Sequence, residues 1–359
     1  MFSSNNKISV RQIQVLIFIS GFASCFTVLP RFLANTGGNS GFIVIALTSL
    51  IVSLFVSFCL NAFEKSKKGN FKNIVESLFG KYFGNIIYFL MTIKILVSGG
   101  LMLRILCEVI RETTLFKTHI SLTGGIIIIL CLYSLKGGIE GFGRLGEIIF
   151  ITAFIPILII FAPAVTDTDY TNILPIIDVK NQNIVQGFIV SLCIFFGIEN
   201  IFMEYSFVNK IKNIKNVRSI VISILFLGIC SSIVYFFTIT RFGAETASSK
   251  LFPVIIMLDT VEIPGAFIER QFIFVIWAVI ASAFVFINSA FIFGMTFNKN
   301  KFFKIIYSII IFTFCFIPSN ITKTLQWFYI VNIFGGIVFG VLLPFILAIY
   351  CIIDRRKEH

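Results

Sequence analysis

The chain has 359 residues, of which 57% are hydrophobic and only 13% are charged, and its mean hydropathy is +0.98. Soluble domains carry about 25% charged residues, so this composition excludes a water-soluble globular protein and indicates a polytopic membrane protein. The net charge of +12 at pH 7 does not indicate a nucleic-acid partner, because the basic residues collect in alternate loops and are not interleaved with aromatic residues.

Ten apolar stretches come close to or exceed the roughly 17–25 residues that a helix needs to cross a bilayer. They predict an all-α integral membrane protein with ten transmembrane helices, in one polytopic domain over residues 1–359. In chain order the predicted spans are Ile13–Leu33, Phe42–Phe63, Tyr82–Leu106, Ile120–Leu135, Ile148–Val165, Ile184–Phe207, Ile220–Thr240, Phe267–Phe297, Phe302–Ile317 and Phe328–Ile353.

The loop charges predict the orientation of these spans. If the N-terminus is cytosolic, the inner segments hold 19 lysines and arginines and the outer segments hold 8. Basic residues favour the cytoplasmic side, so both termini are predicted to be cytoplasmic. An odd number of helices would destroy this alternation.

Ten helices divide into two halves of five, over about 1–165 and 184–359, and the first and sixth helices then correspond. Each carries an internal glycine beside polar residues: Gly21 near Ser24, and Gly197 near Glu199. Paired interruptions at corresponding positions indicate a 5+5 inverted repeat whose broken helices form a small-molecule site.

Glu199 is the most informative polar residue, because it lies within an apolar stretch long enough to span the bilayer. A carboxylate at that depth costs about 2.5 kcal/mol or more, so it needs water, a partner or a proton. The site interpretation places it beside a ligand. The alternative is that Glu199 lies near the cytosolic interface and is hydrated.

Lys94 lies near the middle of the third predicted span, too deep to reach the surface easily. It is predicted to pair with Glu199 or to bind a ligand carboxylate; the alternative is a lysine that faces a water-filled groove. Ser98 lies one helical turn farther on the same face. Arg104 and Glu108 are also four residues apart, near the outer end, and are predicted to form a structural ion pair.

Polar residues also occur in the eighth span, where Ser282 and Asn288 can share one face. They are predicted either to line the site or to hold helices together. Gly336 and Gly340 form a G-x-x-x-G pattern, which predicts close helix packing. The predicted ligand-binding residues are therefore Gly21, Ser24, Lys94, Ser98, Gly197, Glu199, Ser282 and Asn288.

No catalytic or metal-binding motif is present in the sequence. His119 and His359 are the two histidines, and no H-E-x-x-H, G-x-S-x-G or G-x-x-x-x-G-K-[ST] pattern occurs. The eight cysteines are scattered through apolar segments without metal-ligand spacing. We predict no enzyme activity, no cofactor, no metal and no disulfide framework.

The outer loop over residues 241–266 contains an apolar segment, Leu251–Leu258, that is too short to span a membrane. Pro253 and Pro264 also lie in this outer loop. The loop is predicted to contain a short helix over the outer face that could act as a lid, with an ordinary structured loop as the alternative.

Three stretches carry a family resemblance. The first holds Ile8-Ser9, Gln12, Gly21, Leu29-Pro30, Leu33-Ala34 and Gly37. The second is Phe196-Gly197-Ile198-Glu199, which a basic inner loop follows. The third and most specific holds Arg241-Phe242-Gly243, Glu245-Thr246, Phe252-Pro253, Val261-Glu262-Ile263-Pro264-Gly265, Phe267, Glu269-Arg270 and Trp277.

Together these stretches resemble the B subunits of GerA-type spore germinant receptors, which belong to the spore permease family of the APC (amino acid–polyamine–organocation) superfamily. The resemblance covers nearly the whole chain. Asn39, Gly41 and Ser206 depart from the family pattern, which leaves open the detail of the first outer turn and of the inner half of the sixth helix.

The resemblance implies a LeuT-like fold of ten helices in the spore inner membrane. It implies a subunit that binds a nutrient germinant, often an amino acid, among membrane lipids and beside a larger A subunit and a C-subunit lipoprotein. The alternative function is a proton-coupled amino-acid permease, in which Glu199 would carry the proton.

Overall fold

The computed structural model describes residues 7–66, 71–164, 168–176, 183–195, 198–204, 207–208, 214–259, 268–297 and 301–357. These residues are almost entirely helical. The helices are α1 (Val10–Thr27), α2 (Leu29–Thr36), α3 (Gly41–Lys65), α4 (Phe71–Thr113), α5 (Ile120–Ser134), α6 (Gly138–Ala164), α7 (Ile184–Ser191), α8 (Ile198–Glu204), α9 (Ile214–Ser249), α10 (Pro253–Asp259), α11 (Ile268–Phe297), α12 (Lys301–Phe316), α13 (Ile321–Gly335) and α14 (Leu343–Lys357).

Within the described residues, six helical stretches are long and apolar enough to cross a membrane, and two shorter apolar helices accompany them. The protein is therefore a multi-pass membrane protein. Each predicted span overlaps a helix of the structure, but the count of ten spans and the 5+5 repeat stay predictions.

Helices α1 and α4 form the centre of the bundle. In both, 72% of the most apolar 18-residue window is buried, against 39% in the stretch over α5 and α6. Every residue from Lys94 to Ile110 of α4 is buried. The outer helices instead expose large apolar side chains, such as Leu54 and Ile129, as a lipid-facing surface requires.

The interruption of the first span lies at Val28, not at Gly21 as the sequence suggested. Helix α1 passes through Gly21 without a break and ends at Thr27, and α2 begins at Leu29 with Pro30 in its first turn. Pro30 has no N–H to donate to the carbonyl four residues earlier, so a helix must restart there. Glycine permits a break, whereas this proline imposes one.

The sixth span is divided in the structure as well. Helix α7 ends at Ser191, a 3₁₀ turn follows over Leu192–Phe195, and α8 begins at Ile198. Gly197, which the sequence analysis placed at the break, lies outside the described residues. Glu199 is thus the second residue of a short helix that follows an interruption.

The helix of the seventh span breaks at Gly243, close to the predicted start of the outer loop, and a further helical stretch continues to Ser249. Gly243 bends α9 with φ of +71°, a backbone conformation that glycine adopts without strain. The predicted short helix is present as α10, whose apolar residues pack against the bundle. Residues 260–266 lie outside the described part of the chain.

The last span contains a π-helical segment, Gly336–Leu342, between α13 and α14. Such segments are rare and frequently occur at functional sites. We call it the π segment.

The beginning of α1 is fixed by a capping box and by a contact with the chain beyond α8. Ser9 Oγ accepts the N–H of Gln12 at 3.2 Å, and Gln12 Oε1 accepts the N–H of Ser9 at 3.0 Å. The N–H of Ile8 donates to the carbonyl of Phe207 at 3.0 Å, in a parallel bridge with Val208. The start of the first span is thereby joined to the end of the sixth.

Candidate functional site

The centre of the candidate site is a buried ion pair between two helices. Lys94 of α4 donates to Oε1 of Glu199 in α8, across 105 positions of sequence. Lys94 is 7% exposed and Glu199 is 2% exposed. Glu199 is therefore buried and paired, which contradicts the alternative of a hydrated residue at the interface. The sequence analysis offered Glu199 or a ligand carboxylate as the partner of Lys94, and in the structure Lys94 pairs with Glu199.

The second carboxylate oxygen of Glu199 is not satisfied. Oε2 is buried and has no hydrogen-bond partner among the described residues. A buried oxygen left without a donor costs about 1–3 kcal/mol, and more when it is charged. The ion pair therefore engages only one of the two oxygens of this carboxylate.

Two further polar contacts join the helices around the ion pair. Asn200, next to Glu199, donates from Nδ2 to Ser289 Oγ of α11 at 3.3 Å. One turn beyond Lys94, Ser98 donates to Asn332 Oδ1 of α13 at 3.0 Å. All four side chains are buried. The ion pair thus lies in a polar zone where α4, α8, α11 and α13 meet.

A cavity of about 230 Å³ lies against Glu199. Its walls come from α3, from α7 and the 3₁₀ turn after it, from α8 and from the π segment. Glu199 is the one charged residue of the described lining, and the others are Ile51, Val52, Phe55, Phe188, Leu192, Phe195, Gly336, Ile337, Gly340 and Val341.

The glycines near this cavity leave room for other groups. A Cβ built on Gly335 would lie 2.7 Å from Cε and Cγ of Lys94, so the lysine stem packs over the Gly335 backbone. A Cβ built on Gly340 would meet nothing within 4 Å, although Gly340 is buried. The packing role predicted for Gly340 is therefore wrong: this glycine borders the cavity.

The remaining predicted site residues have other surroundings. Ser282 donates to the carbonyl of Val279 within its own helix at 3.0 Å. Asn288 Oδ1 accepts from Ser134 Oγ at 2.6 Å, which joins α11 to the end of α5. Gly21 and Ser24 are buried in the unbroken part of α1. The structure thus places Lys94 and Ser98 with Glu199, and gives Asn288 a helix-packing contact.

Sequence reasoning missed Asn332 and the cavity. An amide in the middle of an apolar span was the available signal for Asn332, because buried polar groups in a membrane need partners. The cavity had no such signal, since its apolar wall residues come from three separate parts of the chain.

Arg104 and Glu108 form the predicted structural ion pair on α4. Arg104 Nη2 lies 2.8 Å from Oε1 of Glu108, and Arg111 Nη2 lies 2.6 Å from Oε2. Both Arg104 and Glu108 are buried.

Comparison with known proteins identifies the family. Residues 7–326 match the spore germination protein family. The chain belongs to this family. Spore germination protein A2 of Bacillus subtilis (strain 168) is 25% identical over 341 residues, which cover 91% of each chain. Spore germination protein B2 of the same organism is 25% identical over 272 residues, covering 75% of this chain and 73% of that protein.

Another spore germination protein and one solved structure are also similar to this chain. Spore germination protein GerQB of Bacillus cereus is 22% identical and covers 69% of this chain and 68% of its own. The fold is similar to that of Mhp1, a nucleobase-cation-symport-1 family transporter solved in a closed conformation with bromovinylhydantoin bound. The TM-score is 0.61 at 12% identity, over 97% of this chain and 80% of Mhp1. Family and fold support a germinant-receptor or permease-like role in a membrane, rather than an enzyme.

Proposed function

We propose that this protein is the membrane subunit of a spore germinant receptor, which binds an amino acid as nutrient germinant and thereby triggers germination. The observation that supports this most directly is the buried Lys94–Glu199 pair. Ionisable residues inside a membrane protein are costly and are usually retained for function. This pair also joins the central helix α4 to the short helix α8, which follows the interruption of the sixth span.

An amino acid matches the chemistry of this pair. Its carboxylate can accept from Lys94, while its ammonium group donates to Glu199. Such a zwitterion inserts between the two side chains without changing the net charge of the buried site. It also brings a donor for Glu199 Oε2, which has no partner among the described residues.

Binding triggers germination by favouring one of two arrangements of the broken helices. A ligand that replaces the direct Lys94–Glu199 contact changes the connection between α4 and α8. In this proposal the wall of the site on the first and sixth spans includes Gly21, Ser24 and Gly197. Neighbouring helices support it through Ser98, Ser282 and Asn288.

This subunit lies in the spore inner membrane. It has ten spans in a 5+5 inverted repeat, forming one domain with both termini on the cytoplasmic face of the spore inner membrane. It works there with a larger A subunit and a C-subunit lipoprotein, which the family resemblance implies.

The test is Glu199→Gln in spores that carry the variant as their only copy. Glutamine keeps the shape of the side chain but removes its charge, so the germinant concentration for half-maximal germination should rise at least tenfold. Immunoblots of inner-membrane fractions verify that the variant is present at the normal level. An unchanged dose response at normal abundance removes Glu199 from the binding site.

The second candidate is a proton-coupled amino-acid permease, which the transporter-like fold favours. The same site would serve, with Glu199 as the proton carrier. Proteoliposomes with an imposed proton gradient separate the candidates. Saturable amino-acid binding without accumulation supports the receptor, and gradient-driven accumulation supports the permease.

A further inference from the structure

The cavity beside Glu199 differs from the rest of the candidate site because its wall is apolar. The described lining includes three phenylalanines, which are Phe55, Phe188 and Phe195, and Glu199 is its one charged member. A ligand in this cavity therefore meets hydrocarbon on most sides and a carboxylate at one position.

We infer that this cavity receives the side chain of the germinant, and that the germinant is an amino acid with a branched aliphatic or aromatic side chain. The inference rests on the proposed function and adds the class of ligand. It also places the side chain on the flank of α8 that faces α3 and the π segment.

The size of the cavity fits such a side chain. Apolar cavities of about 150 Å³ in other proteins stay dry and bind a benzene molecule. This cavity has a volume of about 230 Å³ and accommodates a phenyl ring or a branched alkyl group. Glycine or alanine would leave most of it unfilled and would bury little apolar surface.

Glu199 distinguishes an amino acid from a lipid chain as the occupant. A lipid acyl chain has no donor, so it would leave Oε2 of Glu199 buried with no partner among the residues that the structure describes. The ammonium group of an amino acid supplies that donor at the same end of the cavity from which its side chain extends. Both features of the cavity are then used by one molecule.

Gly340 provides the means to test this. A side chain at position 340 begins in open space and extends into the cavity, because a Cβ there meets nothing within 4 Å. Gly340→Leu places an apolar side chain in the cavity and leaves the identities of Lys94 and Glu199 unchanged. Gly125 of α5 is the matched control, since a Cβ there also meets nothing within 4 Å and Gly125 is not part of the described cavity lining.

The experiment measures binding of radiolabelled L-leucine, L-phenylalanine and glycine to the full chain in lipid nanodiscs. In the wild type, leucine or phenylalanine should bind at least tenfold more tightly than glycine. Gly340→Leu should bring the ratio of leucine or phenylalanine affinity to glycine affinity close to one. Gly125→Leu should behave like the wild type.

A second variant enlarges the cavity, so the inference can still be tested if the Gly340 variant does not fold. Phe55→Ala removes a ring from the wall, so it should shift preference towards L-tryptophan by several-fold relative to L-leucine.

The outcomes separate this inference from the proposed function. The inference is wrong if all three probes bind equally, or if neither variant changes the ratio of their affinities. The cavity then does not hold the germinant side chain, and a lipid chain is its occupant. If Glu199→Gln still abolishes binding in that case, the proposed function stands. If the wild type binds none of the probes, both are overturned.

Discussion

Helix α4 carries two buried ion pairs that differ in what they connect. Arg104 and Glu108 lie one turn apart on the same helix, and Arg111 contacts the other oxygen of Glu108 at 2.6 Å. Lys94 instead reaches Glu199 in another helix, and the second oxygen of Glu199 has no described partner. The charges of the first group all lie on α4, although Arg104 Nη1 also donates to the carbonyl of Cys315 in α12 at 3.5 Å. The second pair joins two helices that are far apart in the sequence.

This difference is consistent with the role proposed for the Lys94–Glu199 pair and with a structural role for Arg104 and Glu108. An ion pair within one helix moves with that helix and cannot report a change elsewhere. A pair between α4 and α8 must lengthen or break when these helices move apart. Burial and charge are similar in the two cases, so the helices that each pair connects are the feature that distinguishes them.

Lys94→Met should have the largest effect on the germinant response. Methionine keeps most of the stem that packs over Gly335 but leaves Glu199 buried without its cation, at a cost of about 3–5 kcal/mol. We expect loss of the response and a lower melting temperature of the purified protein, measured by intrinsic fluorescence.

The double variant Lys94→Met, Glu199→Leu is the control for that loss. Apolar replacement of a buried ion pair is often neutral or stabilising, so the melting temperature should recover while the germinant response stays absent. A response in the double variant would show that the pair is only structural.

Gly335→Ala should have an intermediate effect. Its Cβ would come within 2.7 Å of the Lys94 stem, which must shift and carry its ammonium group away from Glu199. We expect a several-fold increase in the germinant concentration for half-maximal germination. Gly125→Ala, where a Cβ meets nothing within 4 Å, should leave that concentration unchanged. Equal behaviour of the two variants would mean that the exact position of Lys94 does not matter.

Glu108→Gln should have the smallest effect on the response. Arg104 loses its buried carboxylate, so the melting temperature should fall, but the dose response of spores with normal protein levels should stay within about twofold of wild type. A shift as large as that of Lys94→Met would abolish the distinction between the two pairs.

The sequence predicted the parts of this site that depend on charge. A lysine and a glutamate inside apolar spans need partners, and few others are available at that depth. Arg104 and Glu108 were paired by spacing alone. The break in the first span was misplaced because Gly21 only permits a bend, whereas Pro30 forces a new helix. The cavity could not be predicted, since apolar residues of three segments give no signal of the space between them.

The hydrogen bond from the N–H of Ile8 to the carbonyl of Phe207 has a mechanical consequence. This bond connects the residues just before α1 to Phe207, which lies three residues beyond Glu204, the last residue of α8. The segment before α1, where Lys7 is exposed, is thus hydrogen-bonded to the chain just beyond the helix that carries Glu199. A fluorophore attached at Lys7 would test whether a movement of α8 inside the membrane reaches this exposed residue.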